Sequence, residues 1–445
     1  MIAASDKSPI GERAVKTSEF LDSIGIATHW TYPDTPYGFA HRAVLQKLVE
    51  SGIRQVRDGF NHRILELGRL GVKSTIIAEP RNGTPRQIVK RIKEINDLYP
   101  SIIAVEGPNE PDLFWRRHHT EYLGKGFPEG VVIFQKELFE AIKGDPATAD
   151  IAVIGPSLGM TYGKSAGRPN PFADEALADC VDYGNFHPYP QGISSHQSFP
   201  YVGLDSYYRH ANFPSINLDE IPSAFETYAP PFLPKPMVAT ETGYSTYRRG
   251  SSETTHAKYV PRLFFEYFRL GVRRTWLYEL VDEFRDFWRK NREAHFGLLR
   301  RNLRPKPAYT AVKSLLSLLY DEARWDGITP GTLAFSLNIS PKSGYERTDY
   351  VHHLLLQKSS GVYYLAIWHE ITGEDTSIIP HRQITHPDLS AVIEFSRPLA
   401  GAVCHAYDAS WNLRGKSLDI TGNTICIGIP DRVVILELGF EKVEN

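Results

Sequence analysis

Short apolar runs alternate with amphipathic helical patterns along most of this 445-residue chain, from residue 24 to residue 320. The apolar runs predict strands at residues 24–30, 54–60, 72–80, 102–110, 151–158, 181–189, 236–243 and 272–279. Helical periodicity between them is clearest at residues 41–51, 85–98, 130–142, 253–270 and 308–319. Strands that alternate with helices build parallel sheets. Eight such repeats over this length predict an α/β fold, a (β/α)8 TIM barrel.

A doubly wound open sheet is the alternative fold for the same alternation. Its dinucleotide fingerprint, G-x-G-x-x-G after the first strand, is absent from this chain. After residue 320 the helical period disappears, and short strand-like runs separated by turn residues predict a smaller C-terminal β-sandwich. The expected domains are therefore a barrel at 24–322 and a sandwich at 323–445, with an N-terminal extension at 1–23 that is expected to pack with the sandwich.

Composition and charge limit the classes of partner and cofactor that the chain is expected to bind. With a formal net charge of −2 and no basic stripe, the sequence gives no reason to expect a nucleic-acid partner. No stretch is apolar and long enough to predict a membrane span. Three cysteines lack metal-type spacing, and we expect no metal and no cofactor. Residues 1–16 lack the apolar core of a signal peptide, so the compartment stays open: cytoplasmic, or secreted or periplasmic if a signal has been removed. Oligomeric state is not predicted.

Two glutamates at strand ends carry the chemical prediction. Asn109, Glu110 and Pro111 form an N-E-P motif at the end of the fourth strand, and Glu241 ends the seventh. The carboxyl ends of barrel strands form the face on which active sites lie. Strands four and seven lie across the barrel mouth, so the two carboxyl groups can face each other. Such a pair is the minimal equipment for glycoside hydrolysis, with one neutral acid and one anion.

A second motif points to different chemistry. Residues 155–159 read G-P-S-L-G and match the G-x-S-x-G nucleophile elbow of serine hydrolases. That elbow requires a helix directly after the serine, whereas a loop rich in Gly, Pro and Asn follows here. Pro156 also restricts the tight turn before Ser157. We therefore reject a serine hydrolase.

The N-E-P motif on strand four and the glutamate on strand seven together resemble glycoside hydrolase clan A. The resemblance covers about residues 24–320 and includes a closing stretch, F-G-L-L followed by R-P-K-P-A-Y, at residues 296–309. It implies a retaining mechanism with Glu110 as acid/base and Glu241 as nucleophile. The barrel with an appended sandwich is similar to the arrangement in glycoside hydrolase families 39, 30, 79 and 5. Family 39 or a close relative is the first candidate among them.

The resemblance also implies substrate contacts on other strands. Arg57 on strand two, His187 and Tyr189 on strand six, and Trp276 and Tyr278 on strand eight match positions that clan members use. Asn109, His29 and Trp30 are added as sugar contacts because they stand at strand ends. The expected partner is a carbohydrate, an oligo- or polysaccharide or a glycoconjugate. The alternative function is a carbohydrate-binding barrel that has lost catalysis. Loops at 160–172, 191–220 and 244–252 are expected to build the sugar subsites.

Overall fold

The computed structural model describes residues 10–160, 162–163, 167–189, 225–322, 325, 328–340, 348, 350–371, 373–375 and 381–441. The predicted loop at 191–220 lies outside these residues. The chain divides into two compact units. One comprises Asp22–Ser251 and Leu270–Pro305, and the other comprises Met1–Leu21, Ser252–Arg269 and Lys306–Asn445. The domain boundaries expected from the sequence stay a prediction.

The first unit contains the parallel sheet. In chain order its strands are Ile24–Ala27, Gln55–Gly59, Lys73–Ile77, Ile102–Glu106, Ala152–Ile154, Gly184–Phe186, Met237–Thr242 and Thr275–Leu277. Neighbours pair in parallel, and the eighth strand pairs with both the first and the seventh. A parallel bridge between Ile154 and Tyr183 joins the fifth strand to the start of the sixth and closes the ring. The predicted barrel is confirmed.

Helices follow most of these strands along the chain. Residues Pro85–Asn96 show why: Thr84 caps the helix by accepting from the Gln87 amide, Pro85 occupies the first turn, and Ile88 and Ile92 are buried. The other helices of this unit are Pro36–Phe39, His41–Ser51, Ile64–Arg69, Pro111–His118 and Glu129–Gly144, with 3-10 turns at Pro80–Asn82, Leu177–Cys180, Pro230–Phe232 and Arg292–His295. No helix in the described part of the chain is long and apolar enough to cross a membrane.

The second unit contains the β-sandwich. One antiparallel sheet is formed by Ile10–Arg13, Thr332–Ser340, Leu389–Phe395, Ile420–Thr421 and Thr424–Ile429. The other is formed by Val15–Lys16, Val351–Gln357, Tyr363–His369, Leu399–Tyr407, Leu413–Ser417 and Val434–Phe440. Alternate residues of Leu389–Phe395 are buried, as expected for a strand with one face on a core. A short two-stranded sheet pairs Glu374–Asp375 with Arg382–Gln383. The helix Thr17–Asp22 begins in this unit.

Two long helices belong to the sandwich unit. They are Glu253–Arg269 and Pro307–Leu319. Arg262 is buried and donates through one nitrogen to the carbonyls of His369, Ile371 and Asp431. His352 lies 2.8 Å from a Glu266 oxygen and 3.2 Å from a Glu370 oxygen. These polar contacts fix the first of the two helices against strands of the same unit.

Candidate active site

Glu110 stands in an unusual backbone conformation just past the fourth strand. The strand ends at Glu106 rather than at residue 110, because Gly107 and Pro108 interrupt it, and Glu110 caps the helix Pro111–His118 with φ 44° and ψ 50°. A left-handed conformation costs a residue with a Cβ about 1–2 kcal/mol. Residues held in this way cluster at functional sites, where the surrounding structure fixes them.

The G-x-S-x-G segment contributes that surrounding structure. The buried Ser157 hydroxyl accepts from the Glu110 amide at 3.3 Å and lies 3.3 Å from the side-chain oxygen of Asn109. A Cβ at Gly159 would stand 2.8 Å from the Glu110 carboxyl carbon. Asp112 accepts from the amides of Gly159 and Met160, which holds the segment against the start of the helix. The motif that mimics a nucleophile elbow is therefore the support of Glu110.

Glu241 lies in the seventh strand with both carboxylate oxygens engaged. One oxygen accepts from Arg57 at 2.5 Å, and the other accepts from the Tyr189 hydroxyl at 2.8 Å. Strand alternation turns Glu241 to the interior of the barrel. The arrangement leaves the carboxylate fixed and buried at the mouth.

His187 joins the two glutamates. Its Nδ1 lies 2.8 Å from a Glu110 oxygen and 3.7 Å from a Glu241 oxygen. One oxygen of each carboxylate and a nitrogen of His187 lie within 4.8 Å of one another. The two carboxyl groups therefore face each other across a gap of the size of one reacting centre.

Arg57 is held by a network that the sequence did not identify. Its guanidinium donates twice to Glu106, at 2.5 and 2.9 Å, and once to Asn109 at 2.7 Å, besides its bond to Glu241. Glu106 also accepts from Asn185 and from Thr240, each at 3.0 Å. Glu106 and Asn185 belong to short strands that are otherwise apolar. A polar residue within an apolar run was the sequence signal that could have identified both as members of this network.

The two glutamates have opposite electrostatic environments. Burial raises the pKa of Glu110; the His187 hydrogen bond opposes this rise and the charge of Glu241 adds to it, so the pKa stays above its usual value. Burial alone would also raise the pKa of Glu241. The charges of His187 and Arg57 and the hydrogen bonds from Tyr189 and Arg57 instead lower that pKa to about 2. One carboxyl thus favours the acid and the other the anion.

The hydrogen-bond pattern fixes the orientation of protons on His187. The Thr240 hydroxyl lies 2.9 Å from Nε2 of His187, 3.0 Å from Glu106 and 2.9 Å from the Asn185 oxygen. Its single proton serves one of those two oxygen acceptors, so toward the ring it accepts, and Nε2 carries hydrogen. Nδ1 faces Glu110, where it accepts when the ring is neutral and donates when the ring is charged; burial lowers the pKa of His187, but Glu241 and Glu110 raise it above its usual value. One proton is therefore shared between Nδ1 and the Glu110 oxygen.

The two predicted tryptophans differ from their expected role. Trp276 is wholly buried in the barrel core with Ala104, Ile154 and Val238, and its indole occupies the space above Gly25, where a Cβ would clash at 2.3 Å. It fills the barrel below the carboxylates instead of offering a face to a sugar. Trp30 is also buried, and its amide donates to Asp58; its edge borders a cavity of about 490 Å³ beside the first two strands.

Tyr278 and His29 lie on the barrel face that carries the two glutamates. The Tyr278 ring packs against Tyr189 with centroids 6.4 Å apart and against His29 at 5.6 Å. His29 lies 2.6 Å from Glu283 and 3.3 Å from Glu279, and these interactions raise its pKa well above the usual value despite the opposing effect of burial. The sequence did not single out Glu283 because it stands beyond the strand end.

Among the residues that the structure describes, three groups of side chains could each offer three ligand atoms to a metal ion. They are Glu110, His187 and Glu241 at the barrel mouth, His29, Glu279 and Glu283 beside them, and Glu266, His352 and Glu370 in the other unit. In the first group the same atoms serve the hydrogen bonds described above. The opposite pKa shifts of Glu110 and Glu241 suit acid–base and nucleophilic chemistry.

Comparisons with known proteins come from structure. No family model matches the chain, and no curated protein matches it by sequence. A family 39 glycoside hydrolase from the gut symbiont Bacteroides cellulosilyticus is 15% identical with a TM-score of 0.58, over 95% of this chain and 82% of that one. A glucosidase from Croceicoccus marinus is 13% identical with a TM-score of 0.57, over 98% of each chain. A family 51 α-L-arabinofuranosidase from Bifidobacterium longum is 12% identical with a TM-score of 0.56, over 98% of this chain and 100% of that one.

The chain has the fold of the clan A glycoside hydrolases. The similarity extends over barrel and sandwich together, since nearly the whole chain is covered. At these identities it establishes the architecture, and the chemistry rests on the side chains of the mouth.

Proposed function

We propose that the protein is a retaining glycoside hydrolase with Glu110 as acid/base and Glu241 as nucleophile. The observation that carries this proposal is the pair itself: one oxygen of each carboxyl lies within 4.8 Å of the other, and their pKa values shift in opposite directions. Retaining enzymes separate their carboxyl groups by roughly 5–5.5 Å, and inverting enzymes by roughly 6.5–9.5 Å to admit a water. The spacing supports retention.

In the first step Glu241 attacks the anomeric carbon. A bond forms between that carbon and a Glu241 oxygen while the bond to the leaving oxygen breaks, and Glu110 gives its proton to the departing oxygen. Arg57 and Tyr189 hold the Glu241 carboxylate in one orientation, so the carboxylate needs little reorientation before it attacks. The leaving group departs as an alcohol, and Glu110 is left as a carboxylate.

In the second step the roles of Glu110 reverse. Its carboxylate removes a proton from water, the water oxygen bonds to the anomeric carbon, and the ester bond to Glu241 breaks. The sugar leaves with its original configuration, and both glutamates return to their starting states. His187 supports the cycle because its 2.8 Å contact orients the Glu110 carboxyl, while burial and the charge of Glu241 keep the pKa of that carboxyl raised.

The substrate is proposed to be a carbohydrate bound at the barrel mouth. Asn109, Tyr278 and His29 are the proposed sugar contacts, together with Tyr189 and Arg57, which hold the nucleophile. Aromatic faces with a few fixed polar groups are suited to sugar rings.

The roles of the two glutamates can be tested separately. Glu241→Gln is expected to abolish turnover of every glycoside, because no covalent intermediate can form. Glu110→Ala should still release a good leaving group such as dinitrophenol, and glycosyl-enzyme should accumulate because no base activates water. Added azide needs no base, so it should restore turnover of Glu110→Ala and yield a glycosyl azide of unchanged configuration.

Glu94→Gln is the matched control, since Glu94 is an exposed carboxylate on the helix Pro85–Asn96. It should behave like the parent protein. Azide rescue of the Glu241 variant with unchanged configuration in the glycosyl azide would mean that the roles are reversed, because a missing nucleophile that azide replaces gives inverted product. Full activity of both site variants would exclude this site. Binding of sugars without turnover by the parent protein would favour the alternative, a carbohydrate-binding barrel without catalysis.

A further inference from the structure

A row of aromatic rings leads from the nucleophile to the protein surface. Tyr189 donates to Glu241, its ring packs against Tyr278 at 6.4 Å, and Tyr278 packs against His29 at 5.6 Å. His29 in turn stacks on Tyr32 with centroids 4.8 Å apart and an interplanar angle of 15°. Tyr189 is buried, Tyr278 and His29 are half-buried, and Tyr32 is 41% exposed. The row is therefore continuous with the catalytic pair and opens outward between strands one and eight.

Polar groups accompany this row. Glu283 lies 2.6 Å from His29, and Glu279 is wholly buried with its nearer oxygen 3.3 Å from the same ring nitrogen. Both carboxyl groups are buried, so they hold the His29 ring in place, and the aromatic faces of the row suit the C–H faces of sugar rings. The His29 ring is already paired with Glu283 and Glu279, so the row offers no unpaired cation to the carboxylate of an acidic sugar.

The loop that carries Glu283 ends in two exposed aromatic side chains. Phe287 is 91% exposed and Trp288 is 70% exposed, and their rings contact each other edge to face at 5.4 Å. Asp286 fixes the loop by accepting from the Asn291 amide at 2.6 Å and lying 3.2 Å from His295. Large exposed aromatic groups on a fixed loop are typical of a ligand-binding surface.

From these observations we infer that the strand-one and strand-eight side of the mouth binds several consecutive sugar units of a neutral oligosaccharide or polysaccharide chain. This inference rests on the proposed function and extends it from one sugar at the catalytic pair to a chain. Tyr32 stacks one unit beyond His29, and Trp288 stacks a further one.

The test compares the parent protein with Tyr32→Ala and Trp288→Ala. For neutral oligosaccharides of two to five identical units, the ratio of kcat/KM for the longest to the shortest should be high in the parent protein. The ratio should fall roughly tenfold in each variant, a loss of one aromatic platform. Tyr99→Ala is the matched control, because Tyr99 is 37% exposed but lies before the fourth strand, at the opposite end of the barrel. Its ratio should equal that of the parent protein.

Calorimetric titration of the same oligosaccharides into each protein gives a readout that does not require turnover. Tighter binding of longer chains to the parent protein, weakened by Tyr32→Ala and Trp288→Ala alone, supports the inference even if the proposed hydrolysis fails. A parent protein that hydrolyses aryl glycosides but shows no gain with chain length in either measurement would overturn the inference while leaving the proposed function standing. Preference for uronate-containing chains would also overturn it.

Discussion

Replacing Arg57 by lysine keeps the positive charge beside the proposed nucleophile but removes the planar fork that serves three acceptors. Arg57 donates to Glu106 through two nitrogens, to Glu241 through one and to Asn109. A lysine ammonium is a compact charge on a flexible stem and cannot span these positions together. Glu106 is the acceptor with two Arg57 contacts, so the ammonium should stay there and leave Glu241 with the Tyr189 hydrogen bond and the charge of His187.

The size of the effect follows from the pKa of Glu241. Its value falls from 4.5 to about 2, so the ionised form is favoured by about 3 kcal/mol relative to an ordinary glutamate. A hydrogen bond to a charged group contributes roughly 1.5–3 kcal/mol. Losing it should raise the pKa of Glu241 by about 1–2 units. Because the nucleophile must be ionised, the acidic limb of kcat/KM should move to higher pH by the same amount.

The free energy of unfolding should fall as the pKa of Glu241 rises. A carboxyl with a lowered pKa in the folded state stabilises the protein above its unfolded pKa, near 4.5, and this contribution disappears as the pH falls toward 2. Arg57→Lys should therefore lower the free energy of unfolding at pH 7 by a few kcal/mol, because buried carboxylates also lose a partner. The assay is the pH profile of kcat/KM from pH 3 to 8, with thermal unfolding beside it.

Arg91→Lys is the matched control, since Arg91 lies on the outer helix Pro85–Asn96 over the ring of Phe60. Its acidic limb should stay in place. An Arg57→Lys variant with the acidic limb and melting temperature of the parent protein would refute the assignment of Arg57 as the group that keeps Glu241 ionised.

Three further changes have defined outcomes. Trp276→Ala should lower the free energy of unfolding by about 3–5 kcal/mol, because it empties the barrel core; a change in KM without a change in thermal unfolding would instead indicate sugar stacking. Thr240→Val should move the basic limb of the kcat profile to lower pH, because a neutral His187 can then carry its hydrogen on Nδ1 and donate it to the Glu110 carboxylate. Thr240→Ser should restore the position of the limb. An unmoved limb in Thr240→Val would contradict the assigned tautomer. The pKa of His352 is raised to about 9, so the stability that this residue contributes is complete below pH 6.5 and is lost as the pH rises through 9. His352→Gln should therefore reduce the change in the free energy of chemical unfolding over that range by on the order of 3 kcal/mol. An unchanged pH dependence would show that the ring is not charged.

The sequence predicted the barrel and the positions of both glutamates for one physical reason. Apolar runs report which segments are strands, and the chain leaves each strand at the same face of a parallel barrel. Glu110 and Glu241 stand at such exits, so their proximity follows from topology. The apolar runs of the sandwich predict strands only at 351–357, 362–368, 391–395, 424–429 and 432–438, because the interior strands Thr332–Ser340 and Leu399–Tyr407 are partly exposed and mix polar with apolar residues.

Depth along the barrel axis could not be predicted in the same way. Strand alternation tells which side chains point inward, but not at which layer they lie. Trp276 points inward one layer too low, at the level of Gly25, whereas Tyr278 reaches the mouth two residues later. Register between strands decides this, and register depends on pairing partners that are distant in sequence.

The difference between the two glutamates also arises from distant residues. Glu241 becomes the anion because Arg57 and Tyr189, which lie 184 and 52 residues away in the chain, converge on its oxygens. Glu110 favours the acid because burial and the charge of Glu241 raise its pKa, while Ser157, 47 residues away, supports its backbone. The amino-acid type is identical at both positions, so the strand-end pattern alone predicts a pair of carboxyl groups, and their separate roles came from the resemblance to clan A. The assignment depends on the folded arrangement of strands two, four, six and seven. For this reason Arg57→Lys and Thr240→Val, which leave both glutamates in place, should change the pH profile at opposite limbs.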